Sequence, residues 1–120
     1  MMTAKPRVAL VTVAGGFMGG HMVDVLREAG GWHVIATDIV APRGYQPPWD
    51  KFCIADLANQ SEVLGLARYL KEQSQKLDAV FDVKGLFDYS SSLEALRQVN
   101  VQGSKNLYDM LAEFFPRTRV

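Results

Sequence analysis

The first strong pattern in the chain is an unbroken apolar run, Val8 to Val13, after which the period of the apolar positions changes. A run without polar alternation predicts a strand covered on both faces, as in a parallel sheet. Gly15, Gly16, Gly19 and Gly20 cluster at its end, and from Phe17 the residues Met18, Met22, Val25, Leu26 and Ala29 fall at helical spacing. Asp24, Arg27 and Glu28 take the other face, so this stretch predicts an amphipathic helix that Gly30 and Gly31 stop. A second apolar run, Trp32 to Thr37, then closes on Asp38.

Residues 39–50, IVAPRGYQPPWD, hold three prolines and a glycine and predict a loop. Phe52, Cys53 and Ile54 form a short third strand that runs into Asp56 and Leu57. Asn59, three residues before Glu62, has capping-box spacing and opens a helix over 60–73 with Val63, Leu66, Ala67 and Leu70 on its buried face. Leu77 to Val83 gives a fourth strand. Ser91 and Glu94 repeat the capping spacing and open a long helix, along which Leu93, Leu96, Val99, Gly103, Leu107, Met110 or Leu111, and Phe114 form one stripe. Pro116 ends it.

The first β-α-β unit carries candidate chemistry. Glycines at a strand-to-helix turn let a backbone approach a pyrophosphate, and a helix amino terminus offers it N–H groups and a positive dipole end. Gly16 and Gly19 would cradle the phosphates, with Phe17 and Met18 opening the helix below them. Asp38 lies nineteen residues past Gly19, near the interval at which a carboxylate meets the ribose 2′-hydroxyl of NAD.

The stretch VTVAGGFMGGHMV resembles the opening of the extended short-chain dehydrogenases, the NAD-dependent epimerase/dehydratase and 3β-hydroxysteroid dehydrogenase group, whose glycine pattern is GxxGxxG. Asp56-Leu57, LDAVFDVKGLFDYS at 77–90 and VNVQGSKNL at 99–107 extend the likeness along the chain. The resemblance implies a three-layer α/β Rossmann sheet in strand order 3-2-1-4, with NAD at the carboxyl ends of strands one and four. Residues 1–120 would be its partial cofactor-binding domain, truncated before the fifth strand, which would begin at the final Thr-Arg-Val.

The same resemblance sets Asp56 and Leu57 beside the adenine, although an aspartate after a strand also simply begins turns. Lys84 stands where the family has alanine, either to reach a phosphate or to pair with Asp82 or Asp88 at the surface, and the surface pair is favoured. Gly85 keeps a small residue where a loop passes the cofactor. Asn100 supports the backbone of the site or faces solvent. Arg43 is the one loop residue that suits a 2′-phosphate, but Asp38 repels that group, so NAD is favoured over NADP.

Two departures from the family matter. Val13 replaces the first glycine of the pattern, and a β-branched residue tolerates positive φ badly. The catalytic tyrosine and lysine four residues apart are missing: Trp49, Gln73, Leu93 and Ala112 follow the four tyrosines at that distance. No catalytic residue is therefore expected within this stretch.

Composition changes little. One domain at most fits 120 residues, and thirteen basic against thirteen acidic residues suggest neither a nucleic-acid partner nor an anionic membrane. No apolar stretch reaches the length of a membrane span. Lys5, Arg7 and the apolar run after them mimic a secretory signal, but the following amphipathic helix argues against that reading. Cys53 is the single cysteine, and neither it nor His21 or His33 has a metal-ligand partner in sequence, so a cytoplasmic protein without metal is expected.

The implied function is the NAD(P)-binding portion of an oxidoreductase or epimerase acting on a secondary alcohol, hydroxysteroid-like or in a nucleotide sugar. The small-molecule substrate would be bound only by a full-length form. A cofactor-binding sensor or interaction module without catalysis, or a non-functional fragment, are the alternatives. Self-association through the last helix or the edge of strand four is expected.

Overall fold

A computed structural model describes residues 5–13, 17–41, 46–74, 76–83, 93–97 and 101–120. The element order is β1 (Arg7–Val11), α1 (Phe17–Ala29), β2 (Trp32–Asp38), β3 (Lys51–Ile54), α2 (Gln60–Gln73), β4 (Ala79–Phe81), α3 (Leu93–Arg97) and α4 (Gly103–Phe114). The four strands form one sheet in the order β3-β2-β1-β4, and every pairing is parallel.

The unbroken apolar run of β1 has a direct structural cause. Successive side chains point to opposite faces, and both faces are covered. Val8 and Leu10 join one core with Ile35 of β2, four residues of α2 and three of α4, whereas Ala9 and Val11 join a second core with Val34, Ala36 and the α1 residues Val23 and Leu26. The sheet is thus the middle of three layers, with α1 on one side and α2 and α4 on the other. This is the open Rossmann-type architecture.

Helix α2 matches its sequence reading in bounds and in its four buried residues. Its cap differs in one arm. Asn59 accepts from the Glu62 N–H at 3.3 Å as a capping box requires, but the Glu62 carboxylate accepts from the Asp56 N–H at 3.2 Å instead of reaching Asn59. The α1 stop is as expected: Gly30 and Gly31 hold φ of +75° and +78°, and the Gly30 N–H bonds back to Leu26 O.

Three expectations are corrected. The buried face of α1 carries Gly19, Gly20, Val23 and Leu26, while Met18 and Val25 are 63% and 45% exposed. Two apolar stripes compete on this helix, and the one with glycines lets the helix lie close to the sheet. β1 and β4 are also shorter than their apolar runs, because Val13 leaves the extended region at φ +50° and β4 pairs with β1 over only three residues.

The last helical stretch is the third correction. Leu93 in α3 is 67% exposed, and among the described residues the buried stripe lies in α4 at Gly103, Leu107, Met110 and Leu111, while Ser91, the side chain of Leu96 and Val99 lie outside them. Val101 and Gln102 form a wider π-type turn that leads into α4. Past α4, Arg119 pairs with Ala79 in a parallel bridge, exchanging backbone bonds with Asp78 and Val80, on the side of β4 away from β1.

Candidate cofactor site

The carboxyl ends of β1, β2 and β4 and the loop after β3 bring together most of the described residues that the sequence singled out. Thr12 follows β1, is fully buried, and ties two strands through one hydroxyl. Its Oγ1 donates to Asp82 Oδ1 at 3.0 Å and accepts from the Val83 N–H at 2.8 Å, while its own N–H bonds Phe81 O at 3.1 Å. The Tyr108 hydroxyl of α4 donates to Asp82 Oδ2 at 3.3 Å. Partial desolvation, then the adjacent Asp82 carboxylate, pushes the Tyr108 phenol above its ordinary range.

Val13 comes next, and it is the one non-glycine residue among those described with positive φ. A β-branched side chain thus stands at a left-handed backbone position that ordinarily suits glycine. Helix α1 begins four residues later at Phe17, and its first turn holds no acidic residue to compete for the amino-terminal N–H groups. Met18 projects into solvent from that turn and Gly19 is buried.

Asp38 closes β2, half-buried, and its Oδ1 accepts from the Ile39 N–H at 2.7 Å. Behind it, Thr37 is buried and donates to Cys53 O at 2.7 Å, fixing the β2–β3 pair at this end. Asp56 sits in the turn after β3: Oδ1 accepts from the Ala58 N–H at 3.0 Å, and its carbonyl accepts from Asn59 N–H at 3.0 Å. The turn-forming reading of Asp56 is thus present in the structure. Leu57 is half-buried beside it. Gly16, Lys84, Gly85, Arg43, Asp88 and Asn100 lie outside the described residues.

One residue of this end was placed on the last helix by the sequence reading but given no role. Asn106, buried in the first turn of α4, donates from Nδ2 to Leu57 O at 2.8 Å and accepts on Oδ1 from Gln102 Nε2 at 2.8 Å. It holds the loop after β3 against α4. Its signal was a polar residue set between Gly103 and Leu107 on the apolar stripe, four residues after a glutamine that can serve it.

Among the described residues no group of three or more His, Cys, Asp or Glu converges to hold a metal, and no helix is long and apolar enough to cross a membrane.

Comparison with known proteins bears on this arrangement. The model of the NAD dependent epimerase/dehydratase family matches residues 9–120. The chain belongs to that family. Epimerase/dehydratase membership supports a nicotinamide dinucleotide cofactor and an oxidoreductase-type domain, and the glycine turn and Asp38 fall within the matched residues.

A search of curated protein sequences finds no significant match. Solved structures agree on the fold. Thermoplasma acidophilum aldohexose dehydrogenase superposes with TM-score 0.77 at 18% identity, over 96% of this chain and 46% of that one. The Pseudomonas aeruginosa RhlG/NADP active-site complex gives TM-score 0.73 at 25% identity, over 90% and 46%. A short chain dehydrogenase family protein from Francisella tularensis gives 0.72 at 21%, over 92% and 47%. The chain spans about half the length of these structures.

Proposed function

We propose that residues 1–120 form the cofactor-binding part of an NAD(P)-dependent oxidoreductase or epimerase acting on a secondary alcohol, with NAD preferred over NADP. The observation that carries this reading is the position of Asp38 at the end of β2, in the strand next to the Val13 corner and the α1 amino terminus. A carboxylate there accepts hydroxyl protons from a ribose and repels a 2′-phosphate. Gly16, Phe17, Met18 and Gly19 would line the pyrophosphate, Asp56 and Leu57 the adenine, and Lys84 and Gly85 the far side of the dinucleotide. The bound cofactor would supply hydride acceptance; this chain's part is to hold and orient it.

The substrate class follows from the resemblance of GLFDYS and LEALRQVNVQGSKNL to the hydroxysteroid side of the family, with a nucleotide sugar as the second candidate. A reducing, cytoplasmic setting fits the free Cys53. Self-association would use exposed Leu93, Val101 and Tyr108 of the last helices, or the part of the β4 edge beyond the Arg119 bridge; a monomer by size-exclusion chromatography would count against it.

A second reading, cofactor binding without turnover, would account for the lack of a tyrosine–lysine pair in these residues. Calorimetric titration with NAD and with NADP tests the common core of both readings. Saturable NAD binding, weakened about tenfold in Asp38→Ala by loss of a charge-assisted hydrogen bond, is expected. A folded chain that binds neither dinucleotide at millimolar concentration would remove the cofactor assignment.

A further inference from the structure

The strand ends opposite the cofactor site hold a cavity of about 680 Å³. Its walls are Arg7 and Trp32 at the starts of β1 and β2, Ala79 at the start of β4, Lys71 near the end of α2, and the segment after α4. Five cations line it, Arg7, Lys71, Lys76, Arg117 and Arg119, against one carboxylate, Asp78, in a chain of zero net charge. Asp78 is already engaged, by the Val8 N–H at 2.6 Å and by Lys76 at 3.2 Å. Among the described residues neither Arg117 nor Arg119 forms an ion pair.

Three of these cations have side-chain contacts, and the backbone of the other two is fixed. Arg7 stacks over the Trp32 ring at 4.2 Å, and the Lys71 ammonium lies 4.4 Å from the Phe115 ring centre. The backbone carrying Arg117 and Arg119 is pinned: Thr118 donates to Phe115 O and Leu77 O, and Arg119 exchanges bonds with Asp78 O and Val80 N. Cations are thus concentrated in one concave site whose remaining walls, Trp32, Phe114, Phe115 and Pro116, are apolar. A concave site with this excess of positive charge attracts an anion. Guanidinium groups suit phosphate oxygens because their forked N–H donors match them two at a time.

We propose that this cavity binds a phosphate monoester whose organic part is aromatic, the phosphate on Arg117 and Arg119 and the ring against the partly exposed Trp32 and Phe114. The site is separate from the cofactor site: β2 runs seven residues from Trp32 to Asp38, about 20 Å at strand rise.

Phenyl phosphate and inorganic phosphate are the probes, titrated calorimetrically into the intact chain. Phenyl phosphate is expected to saturate in the millimolar range or below and to bind several-fold tighter than inorganic phosphate. The Arg117→Gln/Arg119→Gln double variant should weaken it by more than about tenfold, the effect of losing two charge-assisted contacts. Lys71→Gln, at an exposed position outside the pinned segment, should weaken it by a smaller factor and serves if the double variant does not fold. Asp38→Ala should leave it unchanged, so failure here and failure of the NAD assignment are separable. The proposal is overturned by no saturation with either probe, by equal affinity for the two, by indifference to the double variant or, if that does not fold, to Lys71→Gln, or by loss in Asp38→Ala.

Discussion

Asn106 in α4 donates its side-chain amide to the carbonyl oxygen of Leu57, forty-nine residues earlier, across 2.8 Å. The bond anchors the loop after β3, which carries Asp56, to the helix layer on the far side of the core. Asn106→Ala removes a buried donor and leaves the Leu57 carbonyl without its partner, at a cost of about 2 kcal/mol. Urea denaturation should show that loss. NAD affinity should fall as well if Asp56 meets the adenine.

Thr12 joins β1 to the end of β4 by giving one bond and accepting another. Thr12→Val keeps the shape but strips the Val83 N–H and the Asp82 carboxylate of a partner, so about 1–2 kcal/mol of stability should be lost. Thr12→Ser retains the hydroxyl and should recover most of it. Equal melting temperatures for the Val and Ser variants would show that the hydroxyl contributes nothing.

Val13 holds φ at +50°, where an L residue costs roughly 1–2 kcal/mol and glycine costs little. The greater freedom of glycine in the unfolded chain offsets part of the relief, so Val13→Gly should stabilise by about 0.5 kcal/mol. It also removes bulk from the corner that faces the proposed pyrophosphate. Tighter NAD binding, read by the same titration, is the expected companion effect.

Asp78 makes the fold acid-sensitive. The Val8 N–H holds its carboxyl below the ordinary range, against a smaller opposing push from burial and with help from Lys76 and Arg7. The unfolded chain takes up that proton more readily, so the stabilisation is complete above the ordinary carboxylate pKa of about 4. It is lost as pH falls through the lower folded value. Because the side chain is partly solvated, about 1 kcal/mol is expected, seen as a shallower acid limb for Asp78→Asn in denaturation measured from pH 7 to pH 2.

The periodic parts of the fold were legible in the sequence because local patterning and tertiary burial agree there. Helix α2 is the clearest case: its bounds, its buried stripe and the Asn59 arm of its cap all followed from spacing. Helix α1 was legible as a helix but not in its orientation, since Met18 and Val25 compete with Gly19, Val23 and Leu26 for the buried side. Hydrophobicity alone favours the methionine, whereas the sheet selects the face that can approach it.

What the sequence determined by itself is the order of strands and helices, the double-sided burial of the central strands, the glycine turn and the acid that follows it. Those depend on contacts between near neighbours and on the period of apolar residues. Tertiary structure alone decided that Thr12 meets Asp82, that Asn106 holds Leu57, and that five cations dispersed from Arg7 to Arg119 line one cavity. Such pairings span 49 to more than 70 residues. No local period encodes them, because they exist only once the parallel sheet has brought distant strand ends to a common level.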